Sequence, residues 1–353
     1  MRICIVTVYD SINSGSFWQA KSLKMVLEKM GHQVYFLKRA GDKSGSSTSK
    51  SNQIKKYLSL LLRQGITNAA LYRKRLSEYR KSVNEFETVT VDRAITDMDC
   101  FVLGSDTIWN LNSPYFLQHR SEYWGEPFLS KKVITYAGSA ANTSTDRLKE
   151  YPELIECVRK WISISVRDDR TKEMISSVTD KEVIEVCDPT LLLTSDQYPV
   201  TVKIKEDRYI FLYLFEPLNA SQTEELCNFA KMNKLKIVQG AGDRRYHQVD
   251  SMSINGPFQF VSYMKSADYV ITDTFHGTIF STIFEKNFAV IDRRKQKIED
   301  YLKKVRLSDR IVKPEDSVVS LLSKIIDYSS ARLRIKELRE VGLHFLSSSM
   351  EES

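Results

Sequence analysis

Short β-rich runs alternate with segments of helical periodicity through the first half of the chain, and this alternation limits the fold more than any other feature of the sequence. The predicted strands share branched and aromatic apolar residues and lie at 2–8, 33–38, 100–104, 132–138, 161–165 and 181–186. The helical patterns between them lie near 16–30, 52–64, 68–88, 145–160 and 168–178. Strands that are joined through helices pair in parallel, so the pattern predicts an α/β fold with a doubly wound sheet.

A second series follows a polar stretch at 193–207, which contains Pro199 and is typical of an interdomain linker. Its predicted strands lie at 208–215, 235–240, 268–272 and 288–291, its helices at 220–233, 257–266 and 277–285, and the residues from about 315 onward are helical. A length of 353 residues suits two domains. We therefore predict two Rossmann-like domains, 1–195 and 200–315, and a closing C-terminal helical segment, 316–353. This is the GT-B-like arrangement common among glycosyltransferases, with a ligand cleft between the domains.

The composition is that of a soluble globular protein, with 42% hydrophobic and 27% charged residues. No apolar run approaches the roughly 18 residues that span a bilayer, and residues 1–8 are predicted to be a buried strand rather than a signal peptide. The five cysteines are odd in number and widely spaced, which argues against a disulfide framework or a cysteine-based zinc site. We expect a cytoplasmic protein with no metal site.

The region at about 43–90 is a basic helical insertion in the first predicted domain. Between Lys43 and Asn84 there are ten Lys and Arg residues and one acidic residue, Glu78. A solvated basic face is the simplest interpretation, and nucleic acid, an anionic membrane surface or anionic substrates are alternatives. No nucleic-acid-binding motif is present, so we expect no nucleic-acid partner. The segment IKKYLSLLLRQGI could lie on the inner leaflet of a membrane as a peripheral contact.

Polar residues follow the first predicted strand, and ligands of parallel α/β sheets bind beyond such strand ends. Asn13, Ser14 and Gly15 lead into a helix that carries Gln19 in its first turns. A Ser/Gly-rich helix start offers unpaired backbone N–H groups to an anion, although an ordinary capped turn explains it as well. We place these four residues on the acceptor side of the cleft.

Two further strand ends contribute candidates on the same side. Ser105, Asp106 and Trp109 follow the strand at 100–104, and Ser139 lies in the turn after 132–138. The carboxylate of Asp106 could deprotonate a sugar hydroxyl, and the indole of Trp109 could stack on a sugar ring. An aspartate that only caps the next helix is the alternative for Asp106.

Cations near strand ends indicate where an anionic ligand could bind. Arg167 directly follows a strand and could form a bidentate contact with a carboxylate or phosphate, or could pair with Asp188. Gly240 begins a G-x-G that has no third glycine, which argues against a nicotinamide cofactor. Arg244 could reach an anion in the cleft, while Gly240 could belong only to a tight turn.

The stretch ADYVITDTFHGTIFSTIFEKNFAVI, residues 267–291, places polar residues where a buried strand passes into a helix. Asp273 or Thr274 can cap that helix, Gly277 allows close approach of a ligand to the backbone, and Thr278 adds a hydroxyl. His276 stands at the positive end of the helix, where it could bind a phosphate or transfer a proton.

At this point the sequence resembles the polysaccharide pyruvyl transferase family. The motifs that match, in the family's order, are NSGSFWQAKSL, VLGSDTIWN, ITYAGSA, ISVRDDRT, VCDPTLLL and GPFQFVSYMKSADYVITDTFHGTIFSTIF. The resemblance implies transfer of a pyruvyl group from phosphoenolpyruvate onto two hydroxyls of a sugar or a lipid-linked oligosaccharide, giving a cyclic ketal in bacterial-type surface or exopolysaccharide biosynthesis. It implies no cofactor and places donor binding on Arg167 and His276. Some members carry an arginine two residues before the motif histidine, where this chain has Thr274.

The expected mechanism needs an acid, a base and a stabilised leaving phosphate. We assign His276 as the acid or phosphate contact, Arg167 to the carboxylate or phosphate, and Asp106 as the base. The remaining donor contacts are predicted at Gly240, Arg244, Asp273, Thr274, Gly277 and Thr278. A glycosyltransferase that uses a nucleotide sugar, with His276 and Gly277 on the diphosphate, is the alternative.

Overall fold

The computed structural model describes residues 1–38, 50–240, 246, 248–253 and 256–351. The strands are β1 (Arg2–Val6), β2 (Gln33–Lys38), β3 (Thr88–Thr90), β4 (Cys100–Leu103), β5 (Lys132–Thr135), β6 (Ile164–Val166), β7 (Val183–Glu185), β8 (Tyr209–Tyr213), β9 (Lys236–Gln239), β10 (Ser251–Met252), β11 (Tyr269–Thr272), β12 (Asn287–Ile291) and β13 (Ile311–Val312). All the strand pairs among the described residues are parallel.

The helices connect these strands. They are α1 (Ser14–Lys29), α2 (Lys50–Val83), α3 (Val91–Asp97), α4 (Pro114–Gln118), α5 (Arg120–Tyr123), α6 (Thr145–Lys149), α7 (Pro152–Lys160), α8 (Asp169–Ser176), α9 (Ala220–Met232), α10 (Pro257–Ser266), α11 (Phe275–Ile283), α12 (Gln296–Lys304), α13 (Val318–Leu322) and α14 (Ser329–Glu351). Short 3-10 segments lie at Glu126–Phe128, Pro189–Leu192, Ser195–Gln197 and Ser308–Arg310.

Two sheets organise the molecule. The first has the order β3-β2-β1-β4-β5, and backbone hydrogen bonds from Ile162 to Val133 and from Thr135 to Ser163 continue it to the pair β6-β7. The second has the order β10-β9-β8-β11-β12-β13. In both sheets the order reverses beside the first strand, which is where doubly wound folds bind ligands. The predicted α/β fold with two Rossmann-like sheets in a GT-B-like arrangement is therefore confirmed, while the exact domain boundaries stay a prediction.

A continuous apolar cluster joins the two halves. Trp18 of α1 is fully buried, its ring centroid lies 5.2 Å from that of Tyr198 and 5.5 Å from that of Phe258, and its indole N–H donates to the Pro257 carbonyl at 2.7 Å. Tyr198 in turn contacts Phe280 of α11 at 5.1 Å. Aromatic burial of this extent contributes strongly to a fixed interface, so the cleft lies between two firmly packed units.

The last helix, α14, returns from the second sheet to the first. Near its start the side chain of Arg332 pairs with Glu285, and near its end Lys132 of β5 donates to the Met350 carbonyl at 3.3 Å. The predicted closing C-terminal helix is confirmed. The prediction of continuous helix from about 315 was wrong, because the chain leaves helical structure between α13 and α14.

The helix predictions differ from the structure at two further places. The predicted helices at 52–64 and 68–88 fall in α2, which is broken where Gly65 adopts φ 82° and ends at Val83, before the predicted end at 88. Helix α12 was not predicted, because more than half of its sequence, QKIEDYLKK, is charged and only three of its residues are buried. Most of the predicted loop at 41–51 lies outside the described residues. No described helix is long and apolar enough to cross a membrane.

Candidate functional site

The N-termini of α1 and α11 meet at the carboxyl ends of the two sheets, and His276 lies between them. Thr274 caps α11 by accepting a hydrogen bond from the Gly277 N–H at 2.9 Å, which fixes His276 in the first helical turn. The imidazole packs directly on Gly15 in α1, where an added Cβ would lie 2.0 Å from Nδ1. Only glycine therefore allows this approach, and the positive ends of two helices face the same ring.

A buried carboxylate connects His276 to Arg167. Asp188, which follows β7, accepts a hydrogen bond from Nη1 of Arg167 at 2.9 Å, and the same oxygen lies 3.5 Å from Nε2 of His276. That nitrogen is buried and makes no hydrogen bond within the described chain, so the contact is an electrostatic one at the limit of hydrogen-bond distance. The second oxygen of Asp188 accepts from the backbone and hydroxyl of Thr190 at 3.1 and 2.7 Å. The prediction that Arg167 could pair with Asp188 is thus confirmed.

Asp106 lies on the other side of Arg167. One of its oxygens is 4.0 Å from Nη2 of Arg167 and accepts from the Thr107 N–H at 2.8 Å, and the other accepts from the Ser16 hydroxyl at 2.9 Å. The residue adopts a left-handed backbone conformation, φ 74°, which aspartate tolerates better than most residues. Its carbonyl accepts from the Ser139 N–H at 3.0 Å, so the two strand-end turns are tied together.

The charges of the site keep both carboxylates ionised. Burial alone raises the pKa of Asp188, but the charges of His276 and Arg167 outweigh it and hold the pKa well below its usual range. Burial also raises the pKa of Asp106, and Arg167, His276 and Lys297 together bring it below the ordinary value. For Arg167, burial opposes the charged form, but Asp188 and Asp106 raise the pKa of the guanidinium. An ion-paired cluster charged at neutral pH is the result.

A cavity of about 270 Å³ opens beside this cluster, between the first sheet, α11, α12 and α14. Its charged lining residues are Arg167, Asp168, Glu185, Asp188, Lys297, Asp300, Lys304 and Arg334, and Ser139 and Phe275 also contribute. The ring of Phe275 contacts two cations, since its centroid lies 5.0 Å from the guanidinium carbon of Arg167 and 5.4 Å from Nζ of Lys297. The cavity therefore offers positive charge next to an aromatic face.

Lys297 is the main addition of the structure to the predicted site. Crowding by protein atoms and then the charge of Arg167 lower the pKa of its ammonium group. Its side chain nevertheless remains exposed, and the surrounding solvent moderates both effects. Sequence reasoning missed it because α12 was not predicted, although the apolar spacing of Ile298, Tyr301 and Leu302 indicated a helix.

A larger cavity, about 650 Å³, lies against α9 on the outer side of the second sheet. Its lining is apolar apart from a few polar groups such as Glu224 and Gln248, and it includes none of the charged residues described above. Size alone would favour it, but convergent charged groups are a better indication of chemistry than volume. We therefore take the smaller cavity as the functional site.

The structure brings some of the predicted site residues together and places others in supporting positions. Ser139 and Arg167 line the cavity. Asp106 lies 4.0 Å from Arg167, His276 lies 3.5 Å from Asp188, and Gly15 packs against His276, so these three are connected to the cavity through its lining residues. Gly277 donates its N–H to the cap, and the hydroxyl of Thr278 donates to the Thr274 carbonyl at 2.9 Å. Arg244 lies outside the described residues.

Other predicted contacts are used within the fold. Asn13 caps α1 by accepting from the Gly15 N–H at 2.8 Å, and the hydroxyls of Ser14 and Tyr79 are 2.7 Å apart. Gln19 is fully buried and donates to the Val8 and Ser16 carbonyls. The remaining two are strand-end residues that pack internally: Ser105, whose hydroxyl accepts from the Asp106 N–H at 2.6 Å, and Gly240, which packs against the Phe211 ring.

Burial corrects the interpretation of two candidates. Asp273 is completely buried, and its carboxylate accepts the N–H groups of Phe215 and Glu216 at 2.9 and 3.1 Å, so it holds the loop after β8 rather than a donor. Trp109 is also completely buried, stacked on Trp161 at 5.1 Å. Its indole has no free face for a sugar ring, because Trp161, Trp124 and Gly138 pack against it.

Replacing Trp109 by alanine is expected to lower the free energy of unfolding by about 3–5 kcal/mol, as for other buried aromatic residues. Chemical denaturation followed by circular dichroism measures this. Phe215→Ala, which truncates an aromatic side chain that is half exposed, is the control and is expected to have a much smaller effect. A stable Trp109→Ala variant with weakened sugar binding would instead restore the stacking interpretation.

Comparison with known proteins gives a family and a fold. The family model described as polysaccharide pyruvyl transferase matches residues 13–295, well over half of the chain. A search of curated proteins finds no match.

No group of three or more potential metal ligands is found in the part of the chain that the structure describes.

Solved structures share the architecture at low sequence identity. UDP-GlcNAc 2-epimerase from Neisseria meningitidis bound to UDP-GlcNAc aligns over 100% of both chains, with a TM-score of 0.53 and 11% identity. UDP-GlcNAc 2-epimerase from Methanocaldococcus jannaschii covers 96% of this chain and 99% of its own, with a TM-score of 0.50 and 11% identity. The glycosyltransferase SnogD from Streptomyces nogalater covers 97% and 95%, with a TM-score of 0.50 and 10% identity. These similarities establish the GT-B fold.

Proposed function

The chain belongs to the polysaccharide pyruvyl transferase family, and from that premise we propose that it moves the pyruvyl group of phosphoenolpyruvate onto two hydroxyls of a sugar, forming a cyclic ketal and releasing phosphate. The observation that carries the proposal is that Arg167, Asp188 and Lys297 line one cavity, with the imidazole of His276 3.5 Å from Asp188. We further propose that this takes place in the cytoplasm during surface or exopolysaccharide biosynthesis.

The size of the cavity supports a small donor. Sites for drug-sized ligands usually enclose about 300–1,000 Å³, whereas this cavity holds about 270 Å³. Phosphoenolpyruvate is compact and carries two anionic groups, a carboxylate and a phosphate. A guanidinium, an ammonium group, an imidazole and two helix N-termini suit such a ligand better than they suit a bulky nucleotide.

The reaction can be written with all atoms balanced. A proton adds to the enol CH₂ of the donor and leaves an oxocarbenium-like centre at C2, which one sugar hydroxyl attacks. The C2–O bond to phosphate breaks, and a neighbouring hydroxyl closes the ketal at the same carbon. Of the two hydroxyl protons released, one replaces the proton delivered to CH₂ and the other leaves with phosphate. No electrons are transferred overall, so the chemistry calls for no redox cofactor.

The residues of the site divide these tasks. Arg167 uses one N–H on Asp188 and keeps further donors of its guanidinium for the donor's carboxylate or phosphate. We assign His276 as the proton donor or phosphate contact, since Asp188 lies close enough to balance an imidazolium charge. Asp106 is ionised at neutral pH and can accept a hydrogen bond or proton from the attacking hydroxyl, although its lowered pKa makes it a weak base.

Lys297 can replace the cation that some family members carry at the position of Thr274. The Thr274 hydroxyl is occupied in capping α11 and brings no charge to the donor. Lys297, on α12, contacts the Phe275 ring, which Arg167 also contacts. We therefore propose that it contacts the donor phosphate, and that the acceptor, a sugar or lipid-linked oligosaccharide, enters past Gly15, Ser139 and Asp106.

Thermal-shift and phosphate-release assays with phosphoenolpyruvate test the function. We expect phosphoenolpyruvate to stabilise the protein and Lys297→Gln to raise the concentration needed for half the shift roughly tenfold or more, because a charge-assisted hydrogen bond contributes about 1.5–3 kcal/mol. Lys303→Gln, an exposed lysine of the same helix, is the control. Stabilisation by UDP-N-acetylglucosamine and none by phosphoenolpyruvate would favour a glycosyltransferase that uses a nucleotide sugar.

A further inference from the structure

The first half of α2 carries a row of exposed apolar side chains. Ile54, Leu58 and Leu62 are spaced four residues apart and therefore lie along one face of the helix. Leu62 is 85% exposed, and Ile66, just beyond the break at Gly65, is 74% exposed. A cluster of large aliphatic residues at this level of exposure is unusual on a soluble surface and indicates a surface that is covered in use.

The opposite side of the same segment is attached to the protein. Leu60 is buried with Ala69 and Tyr72, and Tyr57 and Ile12 pack against this small cluster. The exposed residues are therefore not needed to attach the helix to the protein, since its inward face already makes those contacts. The outward residues form a separate surface, which we call the α2 row: Ile54, Leu58, Leu62 and Ile66.

The sequence that contains the α2 row favours an anionic occupant. The segment from Lys43 to Asn84 has ten Lys and Arg residues and a single acidic one, Glu78, and Lys55, which follows Ile54 directly, is exposed. In a symmetric dimer the same patch meets itself, so two segments of high positive charge would have to pack together. A surface that combines apolar and negatively charged groups satisfies both features, and a bilayer of anionic lipid is such a surface.

We propose that α2 docks this protein on anionic lipid bilayers, with the α2 row inserted at the interface between headgroups and acyl chains. The second half of α2 connects this surface to the site: Arg75 donates to the Ile12 carbonyl at 3.2 Å, and Tyr79 contacts the Ser14 hydroxyl at 2.7 Å. The next residue, Gly15, packs against the imidazole of His276. If the proposed function holds, docking also presents the acceptor side of the cleft to lipid-linked sugars.

Vesicle co-sedimentation tests the proposal without any substrate, so its outcome is independent of the proposed reaction. The full chain is expected to sediment with vesicles of equal parts phosphatidylglycerol and phosphatidylcholine, less so at high salt, and weakly with phosphatidylcholine alone. Leu62→Gln combined with Ile66→Gln is expected to weaken binding about tenfold or more, because two exposed apolar side chains no longer enter the bilayer. Met232→Gln with Ile325→Gln, two apolar residues of matching exposure elsewhere, at 83% and 91%, should bind as the wild type does.

Three results would overturn the proposal. If the wild type binds neither kind of vesicle, a protein partner becomes the occupant of the α2 row. If the Leu62→Gln/Ile66→Gln variant binds as strongly as the wild type while keeping its circular dichroism spectrum, the row is not the docking surface. If sedimentation equilibrium without vesicles shows a dimer that this variant loses, a second copy of the chain covers the row.

Discussion

Replacement of His276 by alanine is expected to lower the rate of ketal formation by roughly 10²-fold or more, the range observed when a residue that transfers a proton is removed. The imidazole lies at the N-termini of α1 and α11 and next to Asp188. Asp188 balances a positive charge on the imidazole, while the two helix N-termini stabilise the negative charge of a bound phosphate. The measurement is phosphate release together with mass-spectrometric detection of the pyruvyl ketal on a sugar acceptor.

His344→Ala is the matched control, because this histidine is exposed on α14 and takes no part in the cavity. It is expected to turn over at the wild-type rate. A His276→Ala variant that forms ketal at a near-wild-type rate would remove His276 from the chemistry. If it lost rate only at low concentrations of phosphoenolpyruvate, the histidine would be a phosphate contact rather than the acid.

Replacement of Asp188 by alanine is expected to lower the free energy of unfolding by about 3–5 kcal/mol, since removing one partner of a buried ion pair leaves the other charge uncompensated. Asp188 and Arg167 are almost inaccessible to solvent, and the carboxylate also accepts two hydrogen bonds from Thr190. Urea denaturation followed by intrinsic fluorescence measures the change. Asp180→Ala, at an exposed position after α8, is expected to change stability by less than about 0.5 kcal/mol.

The contribution of Asp188 should also depend on pH. Because its folded-state pKa is held well below the unfolded value of about 3.9, its stabilisation is complete above roughly pH 4 and declines as the pH falls toward the folded-state pKa. The difference between wild type and Asp188→Ala should therefore shrink on acidification below about pH 4. A difference that stays constant down to pH 2 would mean that ionisation of this carboxyl is not what stabilises the fold.

The sequence predicts the central strands of the two sheets because they are short, apolar and bounded by clear turn residues. The edge strands β3, β10 and β13, of only two or three residues, were not predicted. Ile3, Ile5, Val270 and Ile271 are buried, as expected for strands of a parallel sheet with helices on both faces. The break between α13 and α14 could not be read in the same way, because the residues on either side keep helical spacing. The length of a helix here depends on what it packs against, and α14 has to reach back to the first sheet.

The candidate site was predictable where it lies at strand ends. Arg167, Asp106 and His276 each follow a predicted strand, and the sheet order brings those ends together. The roles of Trp109 and Asp273 could not be predicted from their positions, because their burial depends on residues distant in sequence. Trp109 is covered by Trp161, and Asp273 by the loop after β8. Lys297 reaches the cavity through tertiary packing of a charged helix, which leaves only a weak trace in the sequence.

The chain passes between the two sheets twice. The first passage is the segment between Ser195–Gln197 and β8, and the second is α14. Near the start of α14 Arg332 pairs with Glu285, and further along Arg339 donates to the Leu191 carbonyl at 2.8 Å. His276 and Lys297 lie in the half built on the second sheet, while Arg167 and Asp106 lie in the half built on the first. The charged cluster is therefore complete only while the two halves stay packed together, so a mutation that loosens their interface also dismantles the site.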